Sequence, residues 1–416
     1  MPSELEKPED LQKVLEITRL MAAAVDLDSL LQLVIARSME LLDSERASLF
    51  LYEPETNELV SRIAIGEKEI RFSIDQGIAG EAVRTGRTIC VPDAYADPRF
   101  NPEIDRQTSF RTRNILSVPL YDHEGNSVGV LQVLNKRQGG FARYDIDLAE
   151  ALGAQAGVSL QRARLIEYYI KQQEMERAMK IARDIQRRLL PLDSPAICGF
   201  DIAGFSEPAD DTGGDTYDFL ALPDGRWLLG VADASGHGIG SAIVITETRA
   251  MLRATSFQGC EVSDVLGTVN RLLTYDLLEG RFVTCFLGVL DPLQASLTYA
   301  SAGQGPIVFY DRKRDEFAQL PATALPLGIV PEFDMLETAP YQFHPGDFAA
   351  VTTDGFFEAE NGAGERFGLQ RMMALFRRDR ELPAQQMIAN LYDAVTEFRG
   401  EVPQSDDLTA IVIRRK

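Results

Sequence analysis

Histidine is almost missing from this chain. Its 416 residues hold three, His123, His237 and His344, each isolated in sequence. Catalytic metal sites built on clustered imidazoles are therefore excluded, and no histidine falls in a helix suited to a histidine kinase's dimerisation domain. Cysteine is nearly as scarce. Cys90, Cys198, Cys260 and Cys285 are widely scattered, and no pair has zinc-knuckle or redox spacing, so each is expected to be a small core hydrophobe in a reduced compartment. Positive charge is also short. Lysine and arginine number 42 against 63 aspartates and glutamates, a formal net charge of −21, which leaves no surplus for neutralising nucleic-acid phosphates. Most of that charge reads as a solvated acidic surface, and a phosphorylated substrate would have to be captured locally rather than steered from afar. Long hydrophobic runs are absent too. The stretch from Leu30 to Ala36, broken by Gln32, is far too short to span a bilayer, and the acidic segment Met1 to Asp10 has no hydrophobic signal region. A soluble, cytoplasmic protein without membrane partners is expected.

What the chain does have is aspartate at glycine-flanked turns. Gly213-Gly214-Asp215-Thr216-Tyr217-Asp218-Phe219 is followed within twenty residues by Val231-Ala232-Asp233-Ala234-Ser235-Gly236-His237-Gly238. Thr352-Thr353-Asp354-Gly355 and Ser405-Asp406-Asp407-Leu408-Thr409 arrive far downstream. Aspartates at the ends of apolar, strand-like runs suit hard divalent cations bound through oxygen. Two such cations sharing ligands can supply a hydroxide nucleophile and clamp a phosphoryl group during in-line displacement. Gly213, Gly214, Gly236 and Gly238 permit the tight turns that aim these groups. One Gly-Asp turn is commonly just a bend, but four in order make chance a poor explanation.

Before these turns, residues 11–43 carry helical periodicity, with Asp28 as a cap and Leu30, Leu31, Val34, Ile35, Met39, Leu41 and Leu42 as the apolar set. Strands are expected at 47–52, 59–65, 70–74, 88–91, 115–121 and 128–135, with a short helix from Gly77 to Gly86 and a polar loop from Pro92 to Asn114. Together Gln76-Gly77-Ile78-Ala79-Gly80, Ser117-Val118-Pro119-Leu120, Gly129 to Lys136 and Gly139-Gly140-Phe141 resemble a GAF domain. That family is a small-ligand sensor, a central antiparallel sheet with helices on one side. Asn135, Lys136, Phe141 and Asp145 match its cyclic-nucleotide-binding branch, in which the Lys–Asp pair is a structural lock, while Ile146 replaces a final Glu. Ala64 and Ile65 stand at positions resembling base contacts of cyclic-GMP sites and offer neither aromatic nor acid, so cyclic AMP is the favoured ligand. Ser48, Arg62, Phe110 and Thr112 are the lining candidates, with plain sheet packing or loop closure as the alternative for each.

A helix from Tyr144 is expected to run to about Leu190. Leu165, Tyr168, Gln172, Met175, Met179, Ala182, Gln186 and Leu189 step by three and four, the seam spacing of a coiled coil, and imply a homodimer. Its polar Gln172 and Gln186 weaken the seam, and Ile181 and Ile185 lie off it; a single amphipathic helix packed on its own domains is the alternative. Pro191 and Pro195 end the helix.

Beyond it, short strands and Gly/Asp turns enclosing two helices suggest an α+β sandwich. The four acidic motifs, over about residues 185–416, resemble the metal-dependent protein phosphatase (PPM) family in its bacterial SpoIIE-type branch. The resemblance implies a PPM-type αββα sandwich and a centre of two Mn²⁺ or Mg²⁺ ions. Asp215, Asp233, the carbonyl of Ala234, Asp354 and Asp406 would be its ligands, Asp233 bridging, with Asp215 and Asp233 central to catalysis. Asp407 would orient the ligands, and His237 would either serve as an acid or sit structurally under the metal loop. Thr212 and Ala234 depart slightly from the branch pattern, and Ala182 to Gln186 with Leu189-Leu190-Pro191 matches its regulatory helix. No arginine occupies an obvious phosphate-clamping motif. The implied layout is an N-terminal helix (1–25), a GAF sensor (26–160), a coiled-coil linker (161–194) and a phosphatase (195–416). The implied substrate is a phosphoserine or phosphothreonine protein of the anti-sigma-factor-antagonist type. A catalytically weak, ligand-responsive cyclic-nucleotide receptor is the non-enzymatic alternative.

Overall fold

A computed structural model describes residues 8–24, 26–61, 70–108, 110–256, 261–278, 280–332, 334 and 336–416. The chain divides into two compact units, Met1–Glu174 and Met175–Lys416. Arg62, Ala64, Ile65 and Cys260 lie outside the described residues.

The first unit opens with α1 (Pro8–Ala23) and α2 (Leu27–Leu41). The cap of α2 is Asp26 rather than Asp28: its carboxylate accepts from the Ser29 amide and hydroxyl, both at 2.7 Å, because only the residue before the first helical turn can reach those free N–H groups. There follow β1 (Ser44–Glu53), β2 (Glu58–Ser61), β3 (Ile70–Ser73), α3 (Gly77–Thr85), β4 (Ile89–Val91), α4 (Pro102–Thr108), β5 (Ile115–Tyr121), β6 (Ser127–Lys136) and α5 (Arg143–Leu189). The strands form one antiparallel sheet in the order β3-β2-β1-β6-β5-β4. Strand alternation divides its burial. Leu49, Leu51, Leu131 and Val133 pack against α1, α2 and the start of α5, where Leu148, Leu152, Ala156 and Leu160 lie. Phe50 and Val130 face the other way, onto Ala79, Ala82 and Val83 of α3. Both faces are therefore covered, more than the helices on one side that the GAF resemblance implies. The 92–114 loop is also less irregular than expected, since it holds α4.

The second unit continues with β7 (Phe200–Glu207), β8 (Asp215–Ala221), β9 (Trp227–Ala234), α6 (Ile239–Ser256), α7 (Val262–Asp276), β10 (Val283–Asp291), β11 (Ser296–Ala302), β12 (Ile307–Asp311) and β13 (Glu316–Leu320). It ends with β14 (Tyr341–Gln342), β15 (Phe348–Thr352), α8 (Gly355–Glu358), α9 (Gly368–Asp379), α10 (Ala384–Arg399) and β16 (Leu408–Arg415). Two five-stranded antiparallel sheets, β14-β11-β10-β9-β8 and β13-β12-β15-β16-β7, pack face to face. The inner core holds Leu229, Val231, Phe286, Phe309, Val351 and Ile411. The outer sides of the same strands meet helices: Ala232, Cys285 and Leu287 meet Ile245, Leu266 and Val269 of α6 and α7, while Ala350 and Val412 meet Phe376 and Leu391 of α9 and α10. Period-two alternation on central strands thus yields the αββα sandwich. Cys285 is buried as expected, but Cys198 is exposed and is no core residue. Among the described residues, no helix is long and apolar enough to cross a membrane.

Candidate functional site

The acidic turns meet at one end of the sandwich. Asp215 opens β8, Asp233 lies near the end of β9, and the two are direct cross-strand partners. Like charges placed opposite one another are unfavourable in a sheet. Asp354 lies two residues beyond β15 and Asp406 two before β16, whose pairing with β15 brings the second pair of acids together. Burial first, then the charges of Asp233 and Asp407, push Asp215 well above the usual carboxylate range. Burial, followed by Asp354 and Asp406, raises Asp233 to about 7. Burial raises Asp406 to about 6. Among the described residues none of these acids has an ion pair with a basic side chain.

Glycine serves the site in two different ways. Gly236 and Gly238, at φ of 88° and 80°, bend the chain through left-handed turns after Asp233. Gly213 and Gly214 lie outside that region and are needed for space instead. A Cβ on Gly214 would lie 2.7 Å from the Ala234 carbonyl oxygen, and one on Gly213 2.6 Å from Asp407 Oδ2. The carbonyl assigned as a ligand is therefore kept accessible by the glycine beside it.

Asp407 organises the turn below these acids. Its carboxylate accepts from the amides of Ala209 (2.7 Å), Gly214 (2.5 Å) and Asp215 (3.3 Å). Burial raises its pKa against the lowering effect of those three donors. Three further residues support the site through contacts that the sequence alone does not show. Thr353, buried, donates to Asp215 Oδ2 at 2.8 Å and accepts from the Thr409 amide at 3.0 Å, tying one sheet to the other. Gln304 bridges Thr284 Oγ1 (2.6 Å) and the Thr352 carbonyl (2.9 Å). Gln186 of α5 receives the Gly213 amide (3.0 Å) and donates to the Gly213 carbonyl (2.5 Å), while Arg183 donates to the carbonyls of Asp210 and Asp211. Ile181 and Ile185, which lie off the expected coiled-coil seam, are exposed; the polar residues beside them make the contact. None of these partners is close in sequence, so no local signal could have found them. His237 is not under the loop: its side chain is 88% exposed, with Nδ1 3.5 Å from Asp210 Oδ2.

Among the described residues, no three of His, Cys, Asp and Glu converge tightly enough to ligate an ion as they stand. The donor chemistry nonetheless fits hard divalent cations: oxygen only, mutually repelling, and uncompensated by any arginine or lysine.

Known proteins carry the same two parts. The Stage II sporulation protein E (SpoIIE) family model matches residues 223–416, and the GAF domain model matches residues 26–160. Over 247 residues the chain is 31% identical to the phosphoserine phosphatase RsbU of Bacillus subtilis, a match covering 59% of this chain and 72% of RsbU. The chain belongs to the SpoIIE–RsbU family of protein phosphatases. Its fold agrees with the SiaA-PP2C domain of Pseudomonas aeruginosa, with a TM-score of 0.53 at 24% identity over 59% of this chain and 99% of that one. It is also 33% identical over 175 residues to the probable 3′,5′-cyclic phosphodiesterase pde-5 of Caenorhabditis elegans, covering 39% of this chain and 24% of that protein.

The first unit of this family member holds a cavity of about 320 Å³, lined by Ser48, Phe110 and Thr112 together with Arg46, Phe72 and Gln132. That volume lies at the small end of ligand pockets. Thr112 is committed elsewhere, donating through its amide and hydroxyl to Asp105, both at 2.7 Å. Phe110 lies beneath the Arg46 guanidinium, 5.3 Å from ring centre. The expected Lys–Asp lock is present: Lys136 Nζ is 2.6 Å from Asp145 Oδ1, and both are buried in large part. Asn135 accepts from the Arg113 amide and donates to the Arg111 carbonyl, fixing the segment that supplies Phe110 and Thr112.

Proposed function

We propose that this chain is a metal-dependent protein serine/threonine phosphatase regulated by its GAF unit, acting on a phosphorylated anti-sigma-factor antagonist. The observation that carries this reading is the meeting of Asp215, Asp233, Asp354 and Asp406 at one end of the sandwich with no basic partner among the described residues. Asp215, Asp233, Asp354, Asp406 and the Ala234 carbonyl would hold two Mn²⁺ or Mg²⁺ ions. When bound, such ions activate water as a nucleophile and neutralise phosphoryl charge. Asp407 and Thr353 hold Asp215 in place by taking up its amide and its Oδ2. Gly214 keeps the Ala234 carbonyl open to the site. The net charge of −21 disfavours long-range attraction of a phosphoprotein, so remote protein contacts must supply part of the binding energy.

Cyclic AMP is proposed for the cavity lined by Ser48, Phe110 and Thr112. α5 is the proposed relay. It gives Leu148 to Leu160 to the sensor core and Arg183 and Gln186 to the Asp210–Gly213 turn. Leu165, Tyr168 and Met175 on the same helix are exposed, which suits a seam awaiting a second copy. A ligand that binds the two helix arrangements unequally would shift the phosphatase by its differential affinity, commonly about five- to a hundredfold. The test is phosphate release from a phosphoserine-bearing antagonist protein with Mn²⁺, with and without cyclic AMP. Turnover that responds to the nucleotide is expected; turnover indifferent to it removes the sensor from this reading.

A further inference from the structure

Arg281 stands apart from most arginines of the catalytic unit. Arg249 and Arg253 are paired with Asp218, Arg312 with Glu381 and Arg371 with Glu365. Arg281 is half-buried, and its guanidinium makes no hydrogen bond, ion pair or ring contact among the described residues. Its backbone is well fixed. The Arg281 amide donates to Leu278 O at 3.1 Å, and the next residue, Phe282, exchanges two bonds with Ser235: amide to Ser235 Oγ at 3.0 Å, and carbonyl from the Ser235 amide at 2.9 Å. Thr284 is the cross-strand partner of Asp233, so Arg281 emerges beside the Gly236–Gly238 turn. There the guanidinium lies over the first turn of α6. Its Nη1 and Nη2 are 3.0 and 3.1 Å from where a Cβ of Gly240 would be, so the guanidinium packs closely on the helix backbone there.

A guanidinium resting on the N-terminal turn of an 18-residue helix places two positive features together, against the dipole's preference for an anion. Among the described residues this arginine has no carboxylate partner, and it emerges next to the acidic turns. We infer that Arg281 is the residue that binds the phosphoryl group, donating its forked N–H groups to oxygens of the phosphoserine or phosphothreonine during attack and to inorganic phosphate afterwards. This rests on the phosphatase reading of the same site. It also supplies the phosphate clamp that no sequence motif contains, since Arg281 is separated from each of the acidic motifs in sequence.

The experiment compares the parent chain with Arg281→Ala and Arg281→Lys, each loaded with Mn²⁺. It measures KM and kcat on a phosphoserine protein, the affinity for inorganic phosphate by calorimetry, and the affinity for Mn²⁺ alone. Arg281→Ala should weaken phosphate binding at least about tenfold and raise KM similarly, with Mn²⁺ affinity within twofold of the parent. Arg281→Lys should restore part of the phosphate affinity, a point charge replacing the fork. Unchanged phosphate affinity in Arg281→Ala, or an equal loss of Mn²⁺ affinity, overturns the assignment. A parent chain that binds phosphate through Arg281 but hydrolyses no phosphoprotein would count against the phosphatase reading and leave the arginine's role standing.

Discussion

Buried acids in the sensor unit are answered by their neighbours: Asp145 by Lys136, Asp105 by the amide and hydroxyl of Thr112. In the catalytic unit, Asp215 faces Asp233, and its carboxylate is met by the Thr353 hydroxyl rather than by a basic side chain among the described residues. Satisfied charge builds a wall around a cavity, whereas unsatisfied charge of one sign must wait for a counter-ion. The contrast separates a unit whose polar residues hold shape from one whose polar residues perform chemistry.

The sharpest way to break that contrast is to neutralise one waiting acid. Asp233→Asn should lower kcat with Mn²⁺ at least about a hundredfold, the scale of losing a major electrostatic stabiliser. Near-parental turnover would show that Asp233 holds nothing essential. In the sensor unit the matching change is Lys136→Met, which strands the Asp145 carboxylate. It should destabilise that unit by about 2–3 kcal/mol in urea denaturation while leaving Mn²⁺-dependent turnover within a few-fold. A shift under about 0.5 kcal/mol would mean that the pair is not the lock its burial suggests.

Smaller effects probe the junctions. Gln186→Ala leaves both polar groups of Gly213 without their side-chain partner, so the turn before Asp215 should loosen. About a tenfold weaker response to Mn²⁺ is expected in a metal titration. An identical titration curve would make the contact incidental. Least of all, Phe110→Ala should weaken cyclic AMP binding by about 1 kcal/mol, measured by calorimetry. An unaltered affinity would take Phe110 out of the binding wall.

Much of this fold was legible because its strands alternate cleanly. The expected strand at 115–121 coincides with β5, and α5 starts and stops within a residue of its expected ends. Aspartate at strand ends likewise marked the turns that the fold brings together. The differences have separate causes. α4 spans only seven residues, Pro102–Thr108, too few to show a helical period. Asp28 and Asp26 are both chemically able to cap α2, and only the backbone decides which precedes the first turn. Gln304 and Arg281 belong to none of the quoted motifs, and the contacts of Thr353 and Gln186, which do, are as little readable in the sequence. Each acquires meaning from a partner tens to hundreds of residues away, which only the folded chain brings near.

The central claim is that the unanswered acids form a metal-dependent phosphatase centre. Its most direct measurement is phosphate release from a phosphoserine-bearing protein by the full chain, first stripped with chelator and then titrated with Mn²⁺. The account predicts no turnover after stripping and saturable recovery as Mn²⁺ is added. Turnover that persists under chelator, or none at any Mn²⁺ concentration, would contradict it.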